Sequence, residues 1–170
     1  PRKGPPRNRA LLKRLIADYG LGSRRYNPAQ KPYAVFDWDN TCIAGDCEET
    51  LMRYAATHFR LALSPQDFAR AIALDVPSRP LDPALTTTTG KPVSLGDIQA
   101  DLLADYTELA ARSGPIPADN PALLSLKSKL LFAYNAIDAS YDADVSCRWI
   151  IRLFSGWSRE KLGAMAKESN

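Results

Sequence analysis

Residues 33–41, Tyr-Ala-Val-Phe-Asp-Trp-Asp-Asn-Thr, decide how this chain is expected to fold. The first five residues are largely apolar and rich in strand-forming side chains, which predicts a short strand buried on both faces. Asp39, Asn40 and Thr41 then predict a turn. A single strand is unstable in water without partners, and no partner strand is visible elsewhere in the sequence. We therefore expect this strand to belong to a sheet that the chain does not complete.

The rest of the sequence predicts helices. Asp46 with Glu49 three residues later is a start similar to a capping box, and Asn8 can begin an earlier helix that Gly20 ends. Other predicted helices begin at Ser64 with Pro65, at Ser94, at Asn120 and at Ser158, and a further one holds Val145, for a total of about seven. Residues 1–45 are expected to hold an arm, a helix and the first strand, and residues 46–170 a helical region.

Composition excludes several classes of protein. The 170 residues are 45% hydrophobic and 24% charged, which is typical of a globular domain. No apolar run approaches the ~20 residues of a membrane span, so none is expected. A single histidine, His58, excludes a histidine-rich metal site. Three cysteines form no CxxC pair, so the compartment, periplasmic or cytoplasmic, stays open.

Charge is unevenly distributed along the chain. Residues 1–31 hold nine Lys/Arg and one Asp, a balance of +8, and the remainder holds 13 basic and 18 acidic residues, a balance of −5. A basic arm can contact nucleic acid or anionic lipid. There is no nucleic-acid motif and no interleaving of aromatic residues. We therefore interpret the arm as a solvated tail followed by a basic helix face, and expect no nucleic-acid partner.

Two carboxylates two residues apart, after a strand, can divide the work of phosphoryl transfer. One can attack phosphorus as a nucleophile, and the other can serve as general acid and then general base. Mg²⁺ prefers oxygen ligands and offsets the charge of a phosphoryl group. Backbone N–H groups of the turn can hold phosphate oxygens. Two solvated turn aspartates are the alternative interpretation.

Asp37-Trp38-Asp39-Asn40-Thr41 resembles the first motif of the haloacid dehalogenase superfamily. The resemblance implies an α/β protein with a Rossmann-like core, of which this largely α chain holds only the first strand and a flanking helix, and a helical cap over 46–170. It also implies that Asp37 is the nucleophile and Mg²⁺ ligand, and that Asp39 is the acid/base residue and a second ligand through its carbonyl oxygen. Trp38, Asn40 and Thr41 would shape the phosphate-binding turn.

The residues after the motif are similar to the phosphoserine phosphatase branch, and within it to phosphorylcholine-phosphatase-like members. That resemblance implies a small phosphomonoester substrate with a cationic group, such as phosphocholine, phosphoethanolamine or phosphoserine, facing Asp46 or Glu48. The alternative is structural, with Asp46 as a helix N-cap and Glu48 favoured by the helix dipole.

The other superfamily motifs are not found. A Ser/Thr at the end of a second strand, a lysine and a further acidic metal site have no convincing counterpart. We therefore expect a second polypeptide or a C-terminal half to complete the core and to pair with both edges of strand 33–37. The alternative function is a non-catalytic helical binding module that retains the motif as a relic.

Overall fold

A computed structural model describes residues 6–30, 33, 35–37, 39–42 and 46–169. The chain divides into two compact units, Pro1–Cys42 and Ile43–Asn170. The described residues form seven helices, as many as the sequence predicts. Their bounds are α1 Pro6–Tyr19, α2 Cys47–Thr57, α3 Pro65–Ala73, α4 Leu95–Ala110, α5 Pro121–Ser140, α6 Ala143–Arg152 and α7 Arg159–Ser169. The expectation that residues 46–170 act as a cap stays a prediction.

The predicted α/β class is wrong for the described part of the chain, which is helical and contains no strand. Within the expected strand, Ala34 lies outside the described residues, while Tyr33, Val35 and Phe36 are 86%, 82% and 67% exposed. The apolar run predicts a strand from the local preference of its residues alone. A strand also needs ladder hydrogen bonds from a neighbour, and the described residues provide none at this segment.

The first unit contains α1 and the turns that follow it. Within the described residues, α1 begins at Pro6, two residues before the predicted start at Asn8, and it ends before Gly20, as predicted. The Gly20 N–H donates to the Ile16 carbonyl at 2.8 Å. A Cβ atom at Gly20 would collide with that same carbonyl oxygen, so glycine is required there. None of the side chains of α1 is buried.

Side-chain caps begin the helices of the second unit. The Asp46 carboxylate accepts from two backbone N–H groups of α2, and the Ser94 hydroxyl accepts from the Asp97 N–H at 3.3 Å. Ser64 caps α3 and Asn120 caps α5, each followed by a proline in the first turn. These predicted starts are confirmed. Glu49 does not reach back as in a capping box, because its carboxylate accepts from Arg53 Nε at 3.0 Å.

Helix α5 is the centre of the second unit. It packs against α2, α4 and α6, while α3 packs on α4 and α6, and α7 packs on α2. Leu126, Leu130 and Ile137 of α5 are fully buried in a single hydrophobic cluster. Burying such a side chain contributes about 1.5–3 kcal/mol, so this helix supplies much of the stabilisation of the unit. None of the helices in the described ranges combines the length and apolarity needed to cross a bilayer.

The C-terminal end of α3 is joined to two other helices by one carbonyl group. The Ile72 carbonyl accepts from the buried Trp149 indole N–H at 3.0 Å and from Gln99 Nε2 at 2.7 Å. Two residues later, the Leu74 carbonyl accepts from Arg152 Nη1 at 2.7 Å. The last carbonyls of a helix have no partner within the helix, so these side chains satisfy groups that would otherwise lack one.

We predict that Trp149→Phe lowers the free energy of unfolding by about 1–3 kcal/mol, because it removes a buried donor and leaves a small cavity. Guanidinium denaturation followed by circular dichroism measures the change. Ile151→Ala is the matched control on the same helix, since Ile151 is 53% exposed, and should change stability by less than about 1 kcal/mol. Equal effects of the two substitutions would contradict the role given to the indole N–H.

Candidate functional site

The motif turn is closed by hydrogen bonds to Asp37. The Thr41 hydroxyl donates to Asp37 Oδ2 at 3.1 Å, and the Cys42 thiol donates to the Asp37 carbonyl oxygen at 3.1 Å. Asp37 is exposed and its second carboxylate oxygen, Oδ1, accepts no hydrogen bond from the described residues. The turn therefore fixes one oxygen of an exposed carboxylate.

The turn after Asp39 places Asn40 in the left-handed region, with a φ of +53°. Asparagine tolerates this left-handed conformation better than most residues with a side chain, so the residue type suits the position. Asp39 is half-buried and Asn40 is exposed. Trp38, predicted to shape the same turn, lies outside the described residues.

Asp46 is the N-cap of α2. Its Oδ1 atom accepts from the Glu48 N–H at 2.8 Å and from the Glu49 N–H at 3.1 Å. The structural interpretation of Asp46 therefore has direct geometric support. An N-cap carboxylate still carries its negative charge, so the cap does not prevent Asp46 from attracting a cation.

Glu48 lines a groove on the second unit. The groove has a volume of about 430 Å³, and Glu48 is the one ionisable side chain among the residues that line it; the others are Leu51, Ile151, Phe154, Ser155 and Leu162. A carboxylate at the edge of apolar walls suits a ligand that combines a cation with hydrocarbon.

Tyr134 of α5 lies in a negatively charged environment. The pKa of its hydroxyl is raised to about 12. Burial is the largest cause, and the charges of Cys147, Asp46, Asp138 and Glu49 follow in that order. Acids at the start of α2 therefore act electrostatically on a hydroxyl of α5. Their negative charge favours a cationic ligand.

Cys147 of α6 belongs to the same group of residues. The pKa of its thiol lies above the ordinary value, and burial is the largest cause. The charges of Glu48 and Asp46 and a side-chain hydrogen bond to Glu48 raise it further. We call Asp46, Glu48, Tyr134, Asp138 and Cys147 the α2 acidic patch. All five residues belong to the second unit.

The sequence predicts a role for only two members of this patch, Asp46 and Glu48. No motif marks Tyr134, Asp138 or Cys147. One available signal was the spacing of Tyr134 and Asp138, which are four residues apart and so lie on the same face of α5. Their proximity to α2 depends on how the helices pack, which local patterns do not give.

Within the described ranges, no three His, Cys, Asp or Glu side chains come close enough together to hold a metal ion. Asp37 and Asp39 therefore gain no third acidic ligand from these residues. Mg²⁺ is commonly held by one or two carboxylates together with water and substrate phosphate oxygens. An all-oxygen donor set of two aspartates fits that pattern.

No protein-family model matches the sequence, and no curated protein matches it significantly. The fold is similar to a crystal structure described as that of a conserved functionally unknown protein from Anaerococcus prevotii DSM 20548. The two share 27% sequence identity with a TM-score of 0.83. The match covers 94% of this chain and 44% of that chain, so this chain spans less than half the length of its structural neighbour.

We predict that Glu48→Gln speeds alkylation of Cys147 at pH 8. Besides burial, the Glu48 charge and hydrogen bond hold the pKa of the thiol above its ordinary value, so removing them lowers that pKa and increases the thiolate fraction at a fixed pH. Iodoacetamide labelling followed by mass spectrometry of the Cys147 peptide measures the rate. Glu49→Gln is the matched control, since Glu49 is not among the groups that shift Cys147; an equal acceleration there would contradict the assignment.

Proposed function

We propose that this chain carries the nucleophilic part of a Mg²⁺-dependent phosphomonoester hydrolase that works through an aspartyl-phosphate. The observation that carries the proposal is the hydrogen bond from Thr41 to Oδ2 of Asp37. This bond orients an exposed carboxylate while its other oxygen stays available for attack. The resemblance of residues 37–41 to the first motif of haloacid-dehalogenase-type phosphatases supports the same chemistry.

The reaction divides into two steps. In the first, Asp37 Oδ1 forms a bond to phosphorus, the bond from phosphorus to the leaving oxygen breaks, and protonated Asp39 gives its proton to that oxygen. In the second, the Asp39 carboxylate takes a proton from water as the water oxygen attacks phosphorus. Inorganic phosphate leaves and Asp37 is regenerated.

Asp37, through its carboxylate, and Asp39, through its main-chain carbonyl, would hold the Mg²⁺ ion, which when bound offsets the negative charge of the phosphoryl group. Three further groups are required: a lysine that contacts the phosphate, a Ser or Thr hydroxyl, and another acidic ligand for the metal ion. We propose that a second polypeptide or a further part of the protein supplies them. The alternative, a non-catalytic helical binding module, needs none of these groups.

The proposed substrate class rests on the resemblance of the residues after the motif to the phosphoserine phosphatase branch. It is a small phosphomonoester with a cationic group, of the phosphocholine, phosphoethanolamine or phosphoserine type. The carboxylates of the α2 acidic patch favour such a cation. Burial is the largest cause of the raised pKa of Tyr134 and of Cys147, and the charge of Asp46 contributes to both shifts. Asp46 and Glu48 are the residues proposed to face the cation.

We predict that Asp37→Asn abolishes phosphatase activity of the naturally encoded full-length protein, because an amide is a poor nucleophile. Asp39→Asn should reduce kcat by roughly 10²–10⁴, the usual contribution of acid–base catalysis. Turnover of p-nitrophenyl phosphate with Mg²⁺ and with EDTA measures both effects. Asp97→Asn is the control at an aspartate outside the motif. Full activity of Asp37→Asn would reject the covalent mechanism, and a wild-type protein without turnover would favour the binding module.

We predict that Glu48→Gln raises the KM for phosphocholine by about tenfold or more, the effect of losing a charge-assisted contact worth about 1.5–3 kcal/mol. The KM for p-nitrophenyl phosphate, which has no cation, should change little. Glu49→Gln is the matched control, since Glu49 pairs with Arg53. A parallel rise in KM for both substrates would show that Glu48 does not recognise the cation.

A further inference from the structure

We propose that the apolar face of α1 is the docking surface for a further segment of the same polypeptide. This face consists of five large apolar side chains, each at least half exposed: Leu11, Leu12, Leu15, Ile16 and Tyr19. At 3.6 residues per turn, they cover one continuous arc of the helix. An arc of this size is a surface that globular proteins normally bury. The role given to this segment, which is to supply the remaining catalytic groups, rests on the proposed function. The docking itself does not.

Basic residues border the apolar arc on both sides. Arg9 and Lys13 lie along one edge, and Arg7 and Arg14 lie along the other. Asp18 is the one acidic residue of α1, and its Oδ2 lies 3.7 Å from Arg14 Nε. Charge complementarity then requires an occupant with an apolar centre and acidic residues at its rim.

An anionic bilayer has the same two properties, but the acidic residues that follow α1 disfavour it. Asp37 is exposed and Asp39 is half-buried. An anionic surface would repel both carboxylates.

The structural neighbour indicates that the occupant is part of the same chain. The match covers 94% of this chain, so fewer residues are left out than α1 contains, and at least part of α1 is matched. More than half of that single chain lies outside the match. A chain of this fold therefore carries enough additional polypeptide to cover the α1 face.

Cysteine labelling tests the proposal without depending on activity. Leu15→Cys places a thiol on the apolar face, and Ala17→Cys places one on the opposite, exposed face of the same helix. Each variant is made in residues 1–170 and in the naturally encoded full-length protein, then labelled with iodoacetamide and analysed by mass spectrometry. We expect Leu15→Cys to be labelled at least tenfold more slowly in the full-length protein, and Ala17→Cys to react equally in both.

Equal labelling of Leu15→Cys in the two proteins would overturn the proposal. Protection already present in residues 1–170 would overturn it as well, because the occupant would then lie within these residues. Vesicles of phosphatidylcholine and phosphatidylserine form the third arm, and protection of Leu15→Cys in residues 1–170 by these vesicles would assign the face to a membrane instead. A full-length protein that shows protection but no phosphatase activity would support the docking surface and reject the proposed function.

Discussion

The Ile72 carbonyl is the point on which the arrangement of the second unit depends. It lies at the end of α3, where a helix has no partner of its own for its carbonyl groups, and it receives one donor from α4 and one from α6. The Trp149 ring that brings the second donor is fully buried, so the polar bond and the apolar packing are inseparable. These two bonds therefore link α3 to α4 and α6, which both pack against α5.

Local chemistry made the helices predictable. Caps such as Ser64 and Asn120 act through atoms within three residues, so the sequence alone contains the whole interaction. The strand at 33–37 was not predictable in the same way. Its apolar residues express a preference for extended backbone, but a sheet exists only where a second chain segment donates and accepts hydrogen bonds. A preference without a partner gave the wrong fold class for the described residues.

The candidate site shows the same division between local and distant information. Asp37, Asp39 and Thr41 lie within five residues, so their pattern can be recognised in the sequence itself. Tyr134 and Cys147 lie more than 80 residues further along, and only helix packing brings them near the first turn of α2. The sequence therefore predicts the residues proposed for chemistry and the two carboxylates proposed to face a cation. It does not predict the residues that helix packing adds to the patch.

The double position of Asp46 constrains how this protein can change over evolutionary time. Its carboxylate begins α2 by holding two backbone N–H groups, so a substitution that alters ligand preference there also loosens the first turn of the helix. Glu48 carries no such structural duty in the cap through its side chain. Variation in the proposed selectivity is therefore more accessible through Glu48, whereas Asp46 is held in place by the requirements of folding. In this patch, the requirements of folding therefore determine which residues can change without loosening a helix.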